Sequence, residues 1–462
     1  MLGFIPMSKP LSAWQQELKA LSILMAPILV TQLAQAGYGF IDTVMAGQVS
    51  PLDLAAVAIG SSVWLPIFLL ISGIVMATTP LVAAAYGAGR YAEIPKITHQ
   101  SLWLGLIIGV LGMFILQHIS FIFPLLGVPH NLQEKTELYL LGVSFGMPSV
   151  AIFCVLRFYS EALGHTKPVM IISLLGIVLN IPANYVFIHG LWGLPKMGGA
   201  GCGWATAIVM LSMTLLLAAY VLLSSRFSQT RLLQSDGKPL GSLMWRILKL
   251  GFPIGAAIFF EVSLFSCVAV LVSPLGELVV ASHQISLSVT SLLFMVPLSL
   301  AISMTIRTGL SYGRQDLVGI QLTRKVGLIT TTVVACFSAL MIILCRDAIT
   351  SVYTNDETVR ILAADLLLFA AGYQIFDALQ VGAAGCLRGI QQTRSPMILT
   401  LFAYWVVALP VGYSLAMFPL WHDKPLGAYG FWLGLVVGLG VASLLLNWRL
   451  AKSLRRLAQK WA

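Results

Sequence analysis

The chain is predicted to be an all-α polytopic membrane protein: twelve transmembrane helices in two six-helix lobes, a parallel internal repeat around a central cleft. Three observations predict this. Of the 462 residues, 58% are hydrophobic and only 10% charged. Apolar runs of about 20 residues or more, enough to cross a hydrocarbon core roughly 30 Å thick, recur from end to end. And the landmarks of the first half return at a fixed interval in the second.

Read between polar breaks, the spans fall in order at 21–46, 54–85, 98–122, 138–161, 168–189 and 200–224, then 246–273, 278–306, 324–346, 359–387, 396–418 and 427–449. The first opens near Pro27 and carries Asp42; the second closes on Tyr86-Gly87. The third is apolar throughout, and the fourth ends in Arg157 and Glu161. The fifth holds Asn180, Pro182 and Asn184, and the sixth opens on GGAGCG, best read as close helix packing. The seventh repeats the opening proline at Pro253 and carries Glu261. The eighth contains His283 and Gln284 and closes on Tyr312-Gly313. The ninth is apolar, the tenth carries Asp365, Tyr373, Gln374 and Asp377 before GAAGCLRG, and the last two are again apolar.

The repeat interval is 226, since 253 − 27 and 312 − 86 agree, and LAAVAIGSSVWLPIF lies over VVASHQISLSVTSLLF in that frame. Six spans per half give both halves the same orientation, related by an axis along the membrane normal. The expected organisation is an N-terminal six-helix lobe over 1–225, a cytoplasmic linker over 226–245 and a C-terminal six-helix lobe over 246–462.

Lysine and arginine concentrate on the cytoplasmic side of membrane proteins. With the N-terminus inside, Lys135, Lys196, Arg346, Arg360 and Lys424 fall outside, and the other 22 of 27 basic residues, Lys9, Arg157 and Arg388 among them, fall on the cytoplasmic face. Both termini are then cytoplasmic. This asymmetry also explains the net charge of +10, so no nucleic-acid partner is expected. The opening MLGFIPM is too short for a signal-peptide core and lacks a basic region before it, so no cleaved targeting segment is read and translation could start at Met7. The six cysteines have no metal-ligand spacing and read as small buried hydrophobes. Neither GxxxxGK[ST] nor HExxH occurs, so neither an enzyme nor a cofactor is expected.

Acids inside membrane helices are costly, and they commonly line ion or substrate paths. Glu261 and Asp377 lie eleven residues after Leu250 and ten before Leu387, so both sit about 15 to 16 Å from the cytoplasmic boundary. They can face one cavity and share a proton or a small cation. No lysine or arginine is expected at their level. Tyr373, four residues before Asp377, can present its ring to a cation. Gln284 and His283 are candidate lining groups of the same cavity. Asp42, nearer the outer end of its span, either forms a separate site with Asn180 and Asn184, which share a helix face, or is an interfacial acid. Pro182 would loosen that helix and free carbonyls. Glu161 and Asp365 lie near span ends and are expected to reach the headgroups.

QLAQAGYGFIDTVMAG with DLAAVAIGSS, NIPANYVFIHG with GGAGCG, PIGAAIFFEVSLF with HQIS, and the stretch from Tyr373 to LRG give the chain a resemblance to the multidrug and toxic compound extrusion (MATE) transporters, specifically the bacterial NorM-type members. The resemblance covers nearly the whole length. It implies a monomeric inner-membrane antiporter that exports cationic or amphiphilic drugs in exchange for Na+ or H+. Carried over by position, it places the coupling cation at Glu261 and Asp377 beside Tyr373. It makes Asp42, Asn180 and Asn184 an N-lobe polar cluster, and Gln284 a cavity-lining residue. The competing reading is a flippase for lipid-linked precursors. A flippase would favour a basic cavity, whereas the expected mid-membrane charges are acidic.

Overall fold

Twelve helices long and apolar enough to cross a membrane run through the computed structural model, which describes residues 12–125, 128–235, 237–419 and 424–461. They are α1 (Ala13–Val49), α2 (Pro51–Gly87), α3 (Glu93–Pro124), α4 (His130–Ala162), α5 (Thr166–His189), α6 (Gly198–Leu223), α7 (Gly241–Leu275), α8 (Glu277–Gly313), α9 (Leu317–Tyr353), α10 (Glu357–Gly389), α11 (Arg394–Met417) and α12 (Ala428–Trp461). The MLGFIPM opening and Lys9 lie outside the described residues.

Local chemistry sets the helix ends. Ser12 and Gln15 form a reciprocal capping box on α1, Ser50 caps α2 ahead of Pro51, and Asp316 and Asp356 cap α9 and α10. Gly190 closes α5 at a φ of 70°. The prolines at 27, 66, 148, 182, 253 and 297 all sit inside helices. The expectation for Pro182 therefore holds only in its mild form: α5 stays continuous through it, with the usual loss of one backbone donor.

The repeat is visible in the helix bounds. α8 begins and ends 226 residues after α2 (277 − 51 and 313 − 87), and α10 begins and ends 227 after α4 (357 − 130 and 389 − 162). Each half has its own packed interior. Tyr139, Val143 and Met147 centre one, and Tyr404, Trp432 and Leu435 the other. Small residues bring the helices together, as packing in lipid requires. A Cβ on Gly203 would stand 2.2 Å from the Tyr139 carbonyl, and one on Gly385 2.5 Å from that of Ala301, so both glycine-rich segments are packing surfaces.

The halves meet on one side only. Because the number of spans is even, α1 begins and α12 ends at the same face. Among the described residues, every hydrogen bond and every glycine approach between the halves lies between mid-depth and that face. Glu17 on α1 pairs with Arg307 on α8 and accepts from Thr323 Oγ1 on α9 at 2.6 Å. A Cβ on Gly87 would lie 2.1 Å from the Leu310 carbonyl oxygen, and one on Gly313 2.0 Å from that of Ala84, which explains why both Tyr-Gly landmarks carry glycine. Gly73 and Gly255 touch one level deeper. Toward the opposite face no such contact joins the halves among the described residues, and α8 carries a polar row of Gln284, Ser288 and Ser291 on one helix face, Gln284 and Ser291 exposed and Ser288 partly so. Gly313→Val should pry this seam apart: a cysteine placed at Ala84, protected in the parent, should then react with a water-soluble maleimide. Continued protection would contradict the closed seam.

Two sequence expectations change here. Glu161 does not reach the headgroups. It is buried, and its Oε1 accepts from Arg157 Nε at 2.7 Å, while the same guanidinium bonds Gln32 and Gln35 of α1. Arg157 is thus an interior cation and not a surface one; the two residues are four apart, so each supplies the other's counter-charge. Asp365 stays half-exposed near its span end, 3.7 Å from Arg346. The cysteines are all free, but only Cys154, Cys202 and Cys386 are buried; Cys267 is intermediate, and Cys336 and Cys345 are exposed on α9.

Candidate transport site

α1, α5 and α6 build the first polar cluster. Asp42 is only 3% exposed, which removes the interfacial alternative. Asn180 Nδ2 donates to its Oδ1 at 3.2 Å and Asn184 Nδ2 at 2.7 Å, one helical turn apart on α5. Thr206 Oγ1 of α6 donates to Oδ2 at 2.8 Å. Asn184 Oδ1 is buried without a partner, so the cluster keeps one open acceptor. Thr206 was not expected from the sequence. Its signal was available, four residues past Cys202 on the glycine-packed helix, but a lone threonine in an apolar span is too common to single out.

α7, α8, α10 and α11 build the second cluster. Asp377 is buried, Glu261 half-buried, and each lies within the other's electrostatic field. No hydrogen bond reaches Glu261 among the described residues, Asp377 Oδ1 has no partner, and Gln374 Nε2, one turn away, is also buried and unpaired. Buried polar atoms normally find partners, so two buried orphans on α10 beside a carboxylate that accepts no hydrogen bond mark a site that something else completes. Tyr373 lies beside them, but one face of its ring stacks on Trp432 at 5.8 Å, so a cation has only the other face. Trp432 Nε1 in turn donates to His283 Nδ1 at 3.2 Å. His283 therefore points into the lobe interior, while Gln284 points into the open. Neighbours on a helix diverge by 100°, so the pair could not share one cavity.

The expectation that no base lies near these acids is wrong. Arg388 of α10 is buried at the seam, its charge acts on Glu261, and its Nη1 lies 3.4 Å from Met76 Sδ. Counting depth by Cα placed Arg388 at the cytoplasmic face. Helical side chains lean toward the N-terminus, and eleven residues make just over three full turns, so the long side chain climbs back along the face that carries Asp377. No acid lies within ion-pair distance of Arg388 among the described residues, so its charge is held near the site without being neutralised by contact. With both acids ionised, the three groups sum to one negative charge.

Comparison with known proteins then settles the family. A single family model, MatE, matches residues 27–186 and again 253–414. The chain belongs to the MatE family. The two matches start 226 residues apart (253 − 27), the interval of the internal repeat. Among its relatives, this MatE chain is 50% identical over 444 residues to a probable multidrug resistance protein NorM of Acinetobacter baylyi, covering 96% of this chain and 98% of the relative. It is 44% identical over 437 residues to the multidrug resistance protein NorM of Vibrio cholerae, covering 95% and 96%. Among solved structures, a eukaryotic MATE transporter superposes with a TM-score of 0.86 at 19% identity, covering 98% of this chain and all of that one, which supports the fold.

Proposed function

We propose that this MatE protein is a secondary active multidrug efflux transporter of a bacterial inner membrane, monomeric, with cytoplasmic termini, exporting cationic or amphiphilic drugs in exchange for Na+ or H+. The observation that carries the reading is the second cluster. With both acids ionised, Glu261, Asp377 and Arg388 carry one net negative charge in a largely desolvated setting with an unpaired acceptor, so binding one monovalent cation or proton makes the site neutral and fills an open valence. The relatives' names supply drugs as the cargo.

Coupling ion and cationic drug are both drawn to acids that open to one side at a time, so each displaces the other, and that displacement is the exchange. One cation moving inward through 100 mV gains about 2.3 kcal/mol, and a tenfold gradient adds about 1.4 kcal/mol. Together they hold a neutral drug at roughly a 500-fold gradient. For a singly charged drug exchanged one for one the electrical part cancels, leaving about tenfold, so a second ion at Asp42 would strengthen export. Glu17–Arg307 and the glycine seam close the cytoplasmic side in this arrangement, leaving the cleft open to the outside.

The test is efflux of a fluorescent organic cation from proteoliposomes with a sodium gradient or a proton gradient imposed separately. Export driven by either supports the antiporter, and the effective ion identifies the coupling species. Export under neither, with lipid-linked precursors crossing instead, would establish the flippase.

A further inference from the structure

Seven residues of α11, Phe402–Ala408, form a π-helix, a widened turn that is uncommon and concentrates at functional sites. Two neighbouring side chains of this turn reach two different helices. Tyr404 is fully buried, and its hydroxyl donates to Gln380 Oε1 at 2.8 Å. Gln380 is itself buried and lies three residues after Asp377, on the same face of α10. Trp405 Nε1 donates to the backbone carbonyl of Phe260, the residue before Glu261 on α7, at 3.2 Å. Tyr404 also lies within the electrostatic field of both acids.

We propose that the π-turn of α11 is a clasp that sets the spacing of the Glu261–Asp377 pair, with Tyr404 and Trp405 as positioning residues for the coupling ion. Each anchors one of the two acid-bearing helices to a common point. Replacing the π-turn by an ordinary α-turn would change the register of this stretch by one residue, about 100° of rotation between the segments on either side, and so shift how α11 presents both side chains to α7 and α10. Neither residue needs to touch the ion: an acid pair built by two separate helices binds according to their separation, and the clasp fixes that separation.

This inference rests on the coupling role proposed above, and its experiment separates the two. In proteoliposomes, the ion concentration giving half-maximal drug efflux is measured by sodium titration at fixed pH and by pH titration at fixed sodium. The variants are Tyr404→Phe, Trp405→Phe, Asp377→Asn and, as a control on the same helix, the exposed Tyr413→Phe. Loss of one hydrogen bond beside the pair should raise the half-saturating concentration of the effective ion roughly fivefold in each clasp variant, with drug dissociation constants and Tyr413→Phe unchanged. If Asp377→Asn abolishes ion dependence while both clasp variants keep the parental value, or lose only thermal stability, the clasp is overturned and the coupling role stands. If Asp377→Asn leaves ion dependence intact, both fall.

Discussion

Asp377→Asn and Glu261→Gln, made separately, should each abolish ion-driven drug accumulation, a loss of up to roughly 500-fold in the gradient a neutral drug can reach. The reason lies in the charge count. Removing Asp377 leaves Glu261 as the counter-charge of buried Arg388, and removing Glu261 takes away the acid on which Arg388 acts, so neither variant keeps a surplus negative charge that calls for an ion. Asp377→Asn should fold at least as well as the parent, because a buried acid with no cation in contact has been taken away. Efflux measured in proteoliposomes, alongside a thermal unfolding curve, checks both parts. Full transport by either variant would remove that carboxylate from the coupling site.

The second large effect concerns folding. Arg157→Met should destabilise the first lobe by about 3 to 5 kcal/mol, because Glu161 would be left as a buried charge that has lost its one close cation among the described residues. Gln32 and Gln35 would lose their shared donor as well. Adding Glu161→Leu should restore most of that loss, since an apolar pair of similar volume replaces the ion pair without the desolvation cost. Yield of folded protein in detergent and its unfolding midpoint report the result. An Arg157→Met protein as stable as the parent would mean that Glu161 is protonated and needs no partner.

These two predictions also mark what the sequence could and could not reveal. The spans were legible because their signal is local: length and apolarity identify a membrane helix without knowledge of its neighbours. The repeat was legible because Pro27 and Pro253 and the two Tyr-Gly pairs keep one interval, and the structure supplies the reason for the second marker, the tight contact at Gly87 and Gly313. The proximity of Asp42, Asn180 and Asn184 was legible because the two asparagines share a face of α5. Groups whose partners lie on other helices were not legible. Glu17 looks like an ordinary acid near a helix start until α8 and α9 bring Arg307 and Thr323 to it. Buried Asp53 likewise depends on Lys135 and the Gly199 amide, 82 and 146 residues away. Arg388 was misplaced because depth was counted along the backbone, whereas a long cation acts where its guanidinium ends. The π-turn had no signal at all, since FAYWVVA reads as an ordinary apolar helix.

The same contrast explains the shape of the site. The acids sit on long, regular helices, and what tunes them comes from the seam and from the one irregular turn in α11. At the end of the molecule where α1 begins, Glu17, Arg307 and the close glycines hold the two halves together.

The central claim is that drug and coupling ion displace each other at Glu261 and Asp377. The most direct measurement loads purified protein with radioactive sodium, or equilibrates it in weak buffer to follow protons, and then adds an organic cation. Stoichiometric release of sodium or protons on drug addition, absent in Asp377→Asn, is the predicted result. Drug that binds with the ion retained would contradict the account.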